Sequence, residues 1–129
     1  MNDSAERLRW VLEVTTECAD DVLIVTLIGR ISARSAAGLA EHIESPEVRR
    51  AHHVVLDMTG VDYASSDGLL AIDGAAERAR GEGRTLIVAG IQEAVWTALD
   101  LAGLLPKLTT EPTRQAALTL MRARMNQRS

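Results

Sequence analysis

The stretch His53-Val54-Val55-Leu56-Asp57 runs on through Met58-Thr59-Gly60-Val61-Asp62-Tyr63-Ala64-Ser65-Ser66-Asp67-Gly68, and beyond Gly68 the hydrophobic period changes. Val54, Val55 and Leu56 are consecutive apolar residues, as in a short strand covered on both faces. From Leu69 the apolar residues recur at Ile72, Ala75, Ala76 and Ala79, which is the spacing of one face of a helix. Gly81-Glu82-Gly83 breaks that helix, and Thr85-Leu86-Ile87-Val88-Ala89 follows as another strand. A strand, a helix and a strand in this order predict parallel pairing with a right-handed crossover.

Working outward, Trp10, Leu12 and Val14 alternate with Arg9, Glu13 and Thr15, the pattern of an edge strand with one wet face. The run Val22 to Ile28 is apolar on both faces and stops at Gly29, so it is expected to be more buried and to form a hairpin with the first strand. Ser32 is placed as the N-cap of a helix whose stripe is Ala36, Leu39, Ala40 and Ile43, with Pro46 beyond its end. Downstream, Ile91, Val95, Ala98, Leu99 and Ala102 form a further helical stripe that ends at Gly103. A short fifth strand is expected near Lys107 to Thr110. Thr110-Glu111-Pro112 then opens a last helix with Ala116, Ala117, Leu120 and Met121 inward and Arg114, Arg122 and Arg124 toward solvent. The expected fold is a single α/β domain over residues 1–129, a mixed, mostly parallel sheet of four to five strands with about four helices. Residues 1–7 and 125–129 are expected to be flexible.

Composition narrows the function. The chain has 129 residues, 47% of them hydrophobic and 25% charged, which suits one globular domain. Its net charge of −4 gives no positive field to displace counterions from a nucleic acid. No direct nucleic-acid partner is expected, and Arg122, Arg124 and Arg128 read as a solvated helix face. Val22 to Ile28 is too short to span a bilayer, and Met1 to Arg9 carries Asp3, Glu6, Arg7 and Arg9 rather than an apolar leader, so a cytoplasmic protein without membrane insertion is expected. Cys18, His42, His52 and His53 match no zinc spacing, and Gly81-Glu82-Gly83 precedes a strand rather than a helix, so neither a metal nor a nucleotide cofactor is expected. Ser66-Asp67-Gly68 lacks the first glycine of a hydrolase elbow, which speaks against an enzyme.

The segment Asp62 to Leu69 stands at a loop-to-helix junction. Capping alone accounts for Ser and Asp there, since both accept hydrogen bonds from unpaired N–H groups at a helix start. The same amides and dipole favour a phosphate, which makes a serine at this place a well-sited phosphoacceptor.

The sequence resembles the STAS domain family of sulfate transporters and anti-sigma factor antagonists. The resemblance rests on Val25-Thr26-Leu27-Ile28-Gly29-Arg30-Ile31-Ser32, Val54-Val55-Leu56-Asp57-Met58-Thr59-Gly60-Val61 and Ser65-Ser66-Asp67-Gly68-Leu69, and covers nearly the whole chain. It implies a switch of the anti-sigma factor antagonist type: the unmodified domain captures an anti-sigma factor kinase of the histidine-kinase ATPase fold, and phosphorylation in the Asp-Ser-Ser/Thr-Gly segment turns capture off. By position Ser66 matches the first hydroxyl of that segment and Asp67 the second, while Ser65 and Ser32 replace aspartates of the family pattern. Ser66 is the phosphorylation candidate. Asp67 is either a fixed partial mimic of a phosphate or a helix cap. The partner surface implied is Ser65, Ser66, Asp67, Gly68, Leu69, Ala64 and Asp62 with the neighbouring corner at Arg30 and Ser32. Ala64 and Leu69 supply its apolar centre, although the helical spacing of Leu69 equally suits the core. Tyr63 is expected to pack against the sheet, and Thr59 to serve as a structural hydroxyl. A homodimer, and a non-catalytic scaffold or subunit of a stress-signalling assembly or of an ABC lipid transporter, are the alternatives. A nucleotide or lipid sensor ranks last.

Overall fold

The computed structural model describes residues 12–128. Its elements are β1 (Glu13–Ala19), β2 (Val22–Ile31), α1 (Ala33–Ile43), α2 (Pro46–Arg50), β3 (His53–Ala64), α3 (Ser66–Gly81), β4 (Thr85–Ala89), α4 (Glu93–Leu101), a 3-10 turn (Leu105–Lys107), β5 (Thr109–Glu111) and α5 (Arg114–Arg128). The five strands form one sheet in sequence order, with β1 antiparallel to β2 and the other pairs parallel. The expected strand around Trp10 begins within the described residues only at Glu13 and continues to Ala19; Trp10 itself and the expected flexible residues 1–7 lie outside them. At the other end, helix α5 continues through 125–128.

Alternation along the strands divides the core between two faces. Leu23, Val25 and Leu27 of β2, with Val54, Leu56 and Met58 of β3, pack against α1, α3 and α4 through Leu39, Leu69, Ile72, Val95 and Leu99. Val22, Ile24, Val55, Ile87 and Ala89 face the other way, onto Ala117, Leu118 and Met121 of α5.

Two elements differ from expectation. Strand β3 is twelve residues long rather than five, because β2 also continues past Ile28 and the two stay paired through register shifts. Thr26 pairs with Asp57 but Ile28 with Gly60, and Gly29 pairs with Val61 but Arg30 with Tyr63, so β3 holds an extra residue at each step. Gly29 takes φ +125°, a backbone that L side chains rarely adopt. Pro46 lies past the end of α1, as expected, but it also opens a short helix, α2, that was not expected, and in its first turn the missing N–H is no loss.

Candidate functional site

The paired residues Ile31 of β2 and Ala64 of β3 end the parallel core strands side by side, and each is followed by a serine that caps a helix. The Ser65 N–H donates to the Ile31 carbonyl at 2.7 Å, which fixes the two helix starts against one another. At α1 the Ser35 N–H donates to Ser32 Oγ (3.2 Å) and the Ser32 N–H donates to Ser35 Oγ (2.8 Å), a reciprocal capping box. At α3 the Gly68 N–H donates to Ser65 Oγ at 3.2 Å.

Ser65 is half-buried and is the cap. Ser66 and Asp67, at the first two helical positions, are exposed. Among the described residues neither side chain makes a hydrogen bond or ion pair, so the capping alternative for Asp67 is corrected: Ser65 already does that work. Arg30 lies across the corner, its guanidinium 5.2 Å from the centre of the Tyr63 ring and its Nε 3.7 Å from Asp62 Oδ1. Tyr63 is therefore exposed beneath an arginine rather than packed against the sheet.

The structure places Ala64, Gly68 and Leu69 inside the domain. A Cβ on Gly68 would stand 2.4 Å from Ile31 Cγ2, so β2 and α3 touch there without room for a side chain. Leu69 shares the buried stripe with Ile72 and Ala76. Among the described residues the large apolar side chains left exposed are Ile28, Tyr63, Leu70, Trp96 and Leu101, the first three on β2, β3 and α3.

Behind the corner lies a polar cluster that the sequence reading did not assemble. Asp57 is buried and faces the α5 side, where Arg114 Nε donates to Oδ2 at 2.8 Å. The Thr59 hydroxyl and N–H both donate to Oδ1, at 2.6 and 3.0 Å. Burial pushes the Asp57 carboxyl up, but the hydrogen bonds from the Thr59 hydroxyl and backbone and then from Arg114 outweigh it and hold the group below its ordinary value. Arg114 also reaches Thr26 and Glu17, tying α5 to β1, β2 and β3. The expectation that Arg114 faces solvent is thus corrected. An aspartate ending a wholly apolar run was the available signal, since a buried carboxylate needs a cation or donors.

Among the described residues no cluster of His, Cys, Asp and Glu has the arrangement of a metal site, and no helix is long and apolar enough to cross a membrane. A family model described as the STAS domain matches residues 13–117. Among solved structures the chain is similar to an anti-sigma factor antagonist from Mycobacterium paratuberculosis, with 25% identity, 86% of this chain and 94% of that chain covered, and a TM-score of 0.78. It shares its fold with the anti-sigma factor antagonist SpoIIAA in its unphosphorylated form, at 11% identity, 85% and 98% coverage and a TM-score of 0.66. A sulfate transporter family protein from Wolinella succinogenes has the same fold, at 19% identity, 83% and 89% coverage and a TM-score of 0.70.

Proposed function

Because the chain belongs to the STAS domain family, we propose that it acts as an anti-sigma factor antagonist-like switch. Unmodified, it captures an anti-sigma factor kinase of the histidine-kinase ATPase fold and so releases a sigma factor for transcription. Phosphate on Ser66 ends the capture. The domain serves as a binding module rather than a catalyst.

The observation that carries this reading is the division of labour between two adjacent serines. Ser65 is committed to the cap, whereas Ser66 presents its hydroxyl outward from the first helical position. A phosphate there leaves the cap bond intact. It also meets the positive ends of two helices, since α1 and α3 start next to each other. Thr59 is a poorer acceptor because its hydroxyl is engaged by the buried Asp57. The likeness to the Wolinella protein favours a second reading, a non-catalytic STAS subunit of a larger assembly.

The test is to mix the purified chain with histidine-kinase-fold ATPases from the same genome, in ADP and in ATP, and to map phosphate by mass spectrometry. The expected result is a nucleotide-dependent complex, lost as Ser66 becomes phosphorylated, and no phosphate on Ser66→Ala. Phosphate confined to other residues removes Ser66 as the switch, and absence of any complex removes the reading.

A further inference from the structure

We propose that β1 pairs with β1 of a second copy of this chain, antiparallel and centred on Thr16, so that two domains share one continuous sheet. The proposal is independent of the switch reading and uses a surface that the switch does not.

The sheet has two edges, β1 and β5, and they are built differently. Strand β5 is three residues long and Pro112 follows it, which blunts that edge. Strand β1 runs for seven residues, Glu13-Val14-Thr15-Thr16-Glu17-Cys18-Ala19, in unbroken register with β2 and with neither proline nor lysine in it. Its outer side meets no strand among the described residues. An edge of that length without such guards is a template for another strand.

The turn after β1 decides which backbone groups face outward. Asp20 and Asp21 take φ +53° and +66°, as the central residues of a type I′ hairpin turn closed by Ala19 and Val22. The closing pair is hydrogen-bonded, and in an antiparallel ladder hydrogen-bonded pairs alternate with open ones. Ala19, Glu17, Thr15 and Glu13 therefore bond to β2, while Cys18, Thr16 and Val14 turn their N–H and C=O groups away from it.

Side chains choose the occupant and the register. Thr16 shares a hydrogen bond with His42 of α1 at 2.8 Å, and Glu17 accepts one from Arg114 of α5 at 3.1 Å, so even positions face one layer of helices and odd positions the other. A two-fold axis perpendicular to the sheet at Thr16 keeps both faces in step. It sets Val14 opposite Cys18 and Thr16 opposite its own copy, which matches outward groups to outward groups in about six new hydrogen bonds. It also sets Glu13 opposite Ala19 and Glu17 opposite Thr15, so all seven residues pair and no acid directly faces an acid. An axis at Thr15 would oppose Glu13 to Glu17, and one at Glu17 would oppose that residue to itself. An axis at Val14 or Cys18 leaves more than half of the strand unpaired, and an axis between residues sets outward groups against ones already bonded to β2. The strand is thus self-complementary in one register, which makes a second copy its partner.

Sedimentation of the full chain tests the dimer, and cysteine cross-linking tests the register. The wild-type chain should show a concentration-dependent dimer. Thr16→Pro removes one outward N–H from each copy and leaves the bonds to β2 intact, so it should stay folded and weaken the dimer roughly tenfold or more. Thr16→Lys, which opposes two like charges at the axis, should do the same and serves if proline disturbs the strand. In a Cys18→Ser background, Thr16→Cys brings two thiols opposite one another with about 5.5 Å between their Cα atoms, within disulfide reach, and a mild oxidant should link the two copies. Thr15→Cys in the same background faces Glu17 and should stay unlinked. A wild-type chain that stays monomeric, whatever else covers the edge, overturns the proposal. So does a dimer that neither Thr16 variant weakens, or linkage through Thr15→Cys in place of Thr16→Cys. If the dimer forms and no ATPase binds it, this proposal stands and the switch reading falls.

Discussion

Helices α1 and α3 start side by side at the carboxyl ends of β2 and β3, each behind a serine cap, yet one start is closed and the other is left open. At α1 the third helical residue, Ser35, folds back on Ser32, and its hydroxyl also donates to the Arg30 carbonyl at 3.0 Å. Every hydroxyl there is spent on the domain itself. At α3 the third helical residue is Gly68, which has no side chain to fold back, because Ile31 fills the space a Cβ would need. Close packing below thus leaves the first turn of α3 with one cap and two outward side chains, Ser66 and Asp67. Rigidity beneath and accessibility above come from the same contact, which is what a switch residue requires.

The contrast is broken most severely at Gly68. A glycine inside a helix ordinarily destabilises it relative to alanine by roughly 0.5–1 kcal/mol. Gly74 of the same helix obeys that rule, for nothing lies within 4 Å of a Cβ there, and Gly74→Ala should raise the melting temperature. Gly68→Ala should do the opposite and cost roughly 3 kcal/mol, the upper end of overpacking, because the obstructing atom belongs to a stiff β-branched side chain. Thermal unfolding of the two variants checks the pair, and equal shifts of the same sign would mean that α3 is not pressed on β2.

The next largest effect tests whether the frame behind the corner is held as firmly. Arg114→Gln removes the charge-assisted hydrogen bond that Nε gives to the buried Asp57 and should cost roughly 2 kcal/mol at neutral pH. The pH dependence has a definite sign. Asp57 is held below its ordinary 3.8, so its contribution is complete above that value and is lost as pH falls through the lower folded value. Acid titration of stability should therefore show the variant losing stability at higher pH than the wild type. Coincident acid limbs would assign the depression to Thr59 alone.

Much of this arrangement was legible in the chain. Period alone located β2, β4, α3 and the stripe of α4, and the identity of Ser32 as a cap followed from its place before Ala36 and Leu39. The extension of β3 was not legible, because Gly60 and Asp62 read as loop where the structure accommodates extra residues in bulges. Arg114 looked like surface charge since its partner Asp57 is remote in sequence, and no local pattern reports such a pair. The site was legible in position and in the phase of its helix. The serine pair marked the junction, and the stripe of Leu69, Ile72, Ala75, Ala76 and Ala79 marked the side of α3 that is buried. The close approach of Gly68 to Ile31 was not legible, because it joins residues far apart in the chain.

The smaller effects separate the two serines. Ser65→Ala removes the hydrogen bond to the Gly68 N–H and should cost about 1 kcal/mol, as cap losses do. Ser66→Ala removes an exposed hydroxyl with no partner among the described residues and should change stability by less than about 0.5 kcal/mol. Asp67→Asn loses only the attraction of a carboxylate to the helix end, roughly 0.3–1 kcal/mol at low salt and less as salt is added. Chemical denaturation of the three at low and high salt tests this ranking. Should Ser66→Ala prove as costly as Ser65→Ala, the outward hydroxyl would be a structural one, and the open start of α3 would be no more open than that of α1.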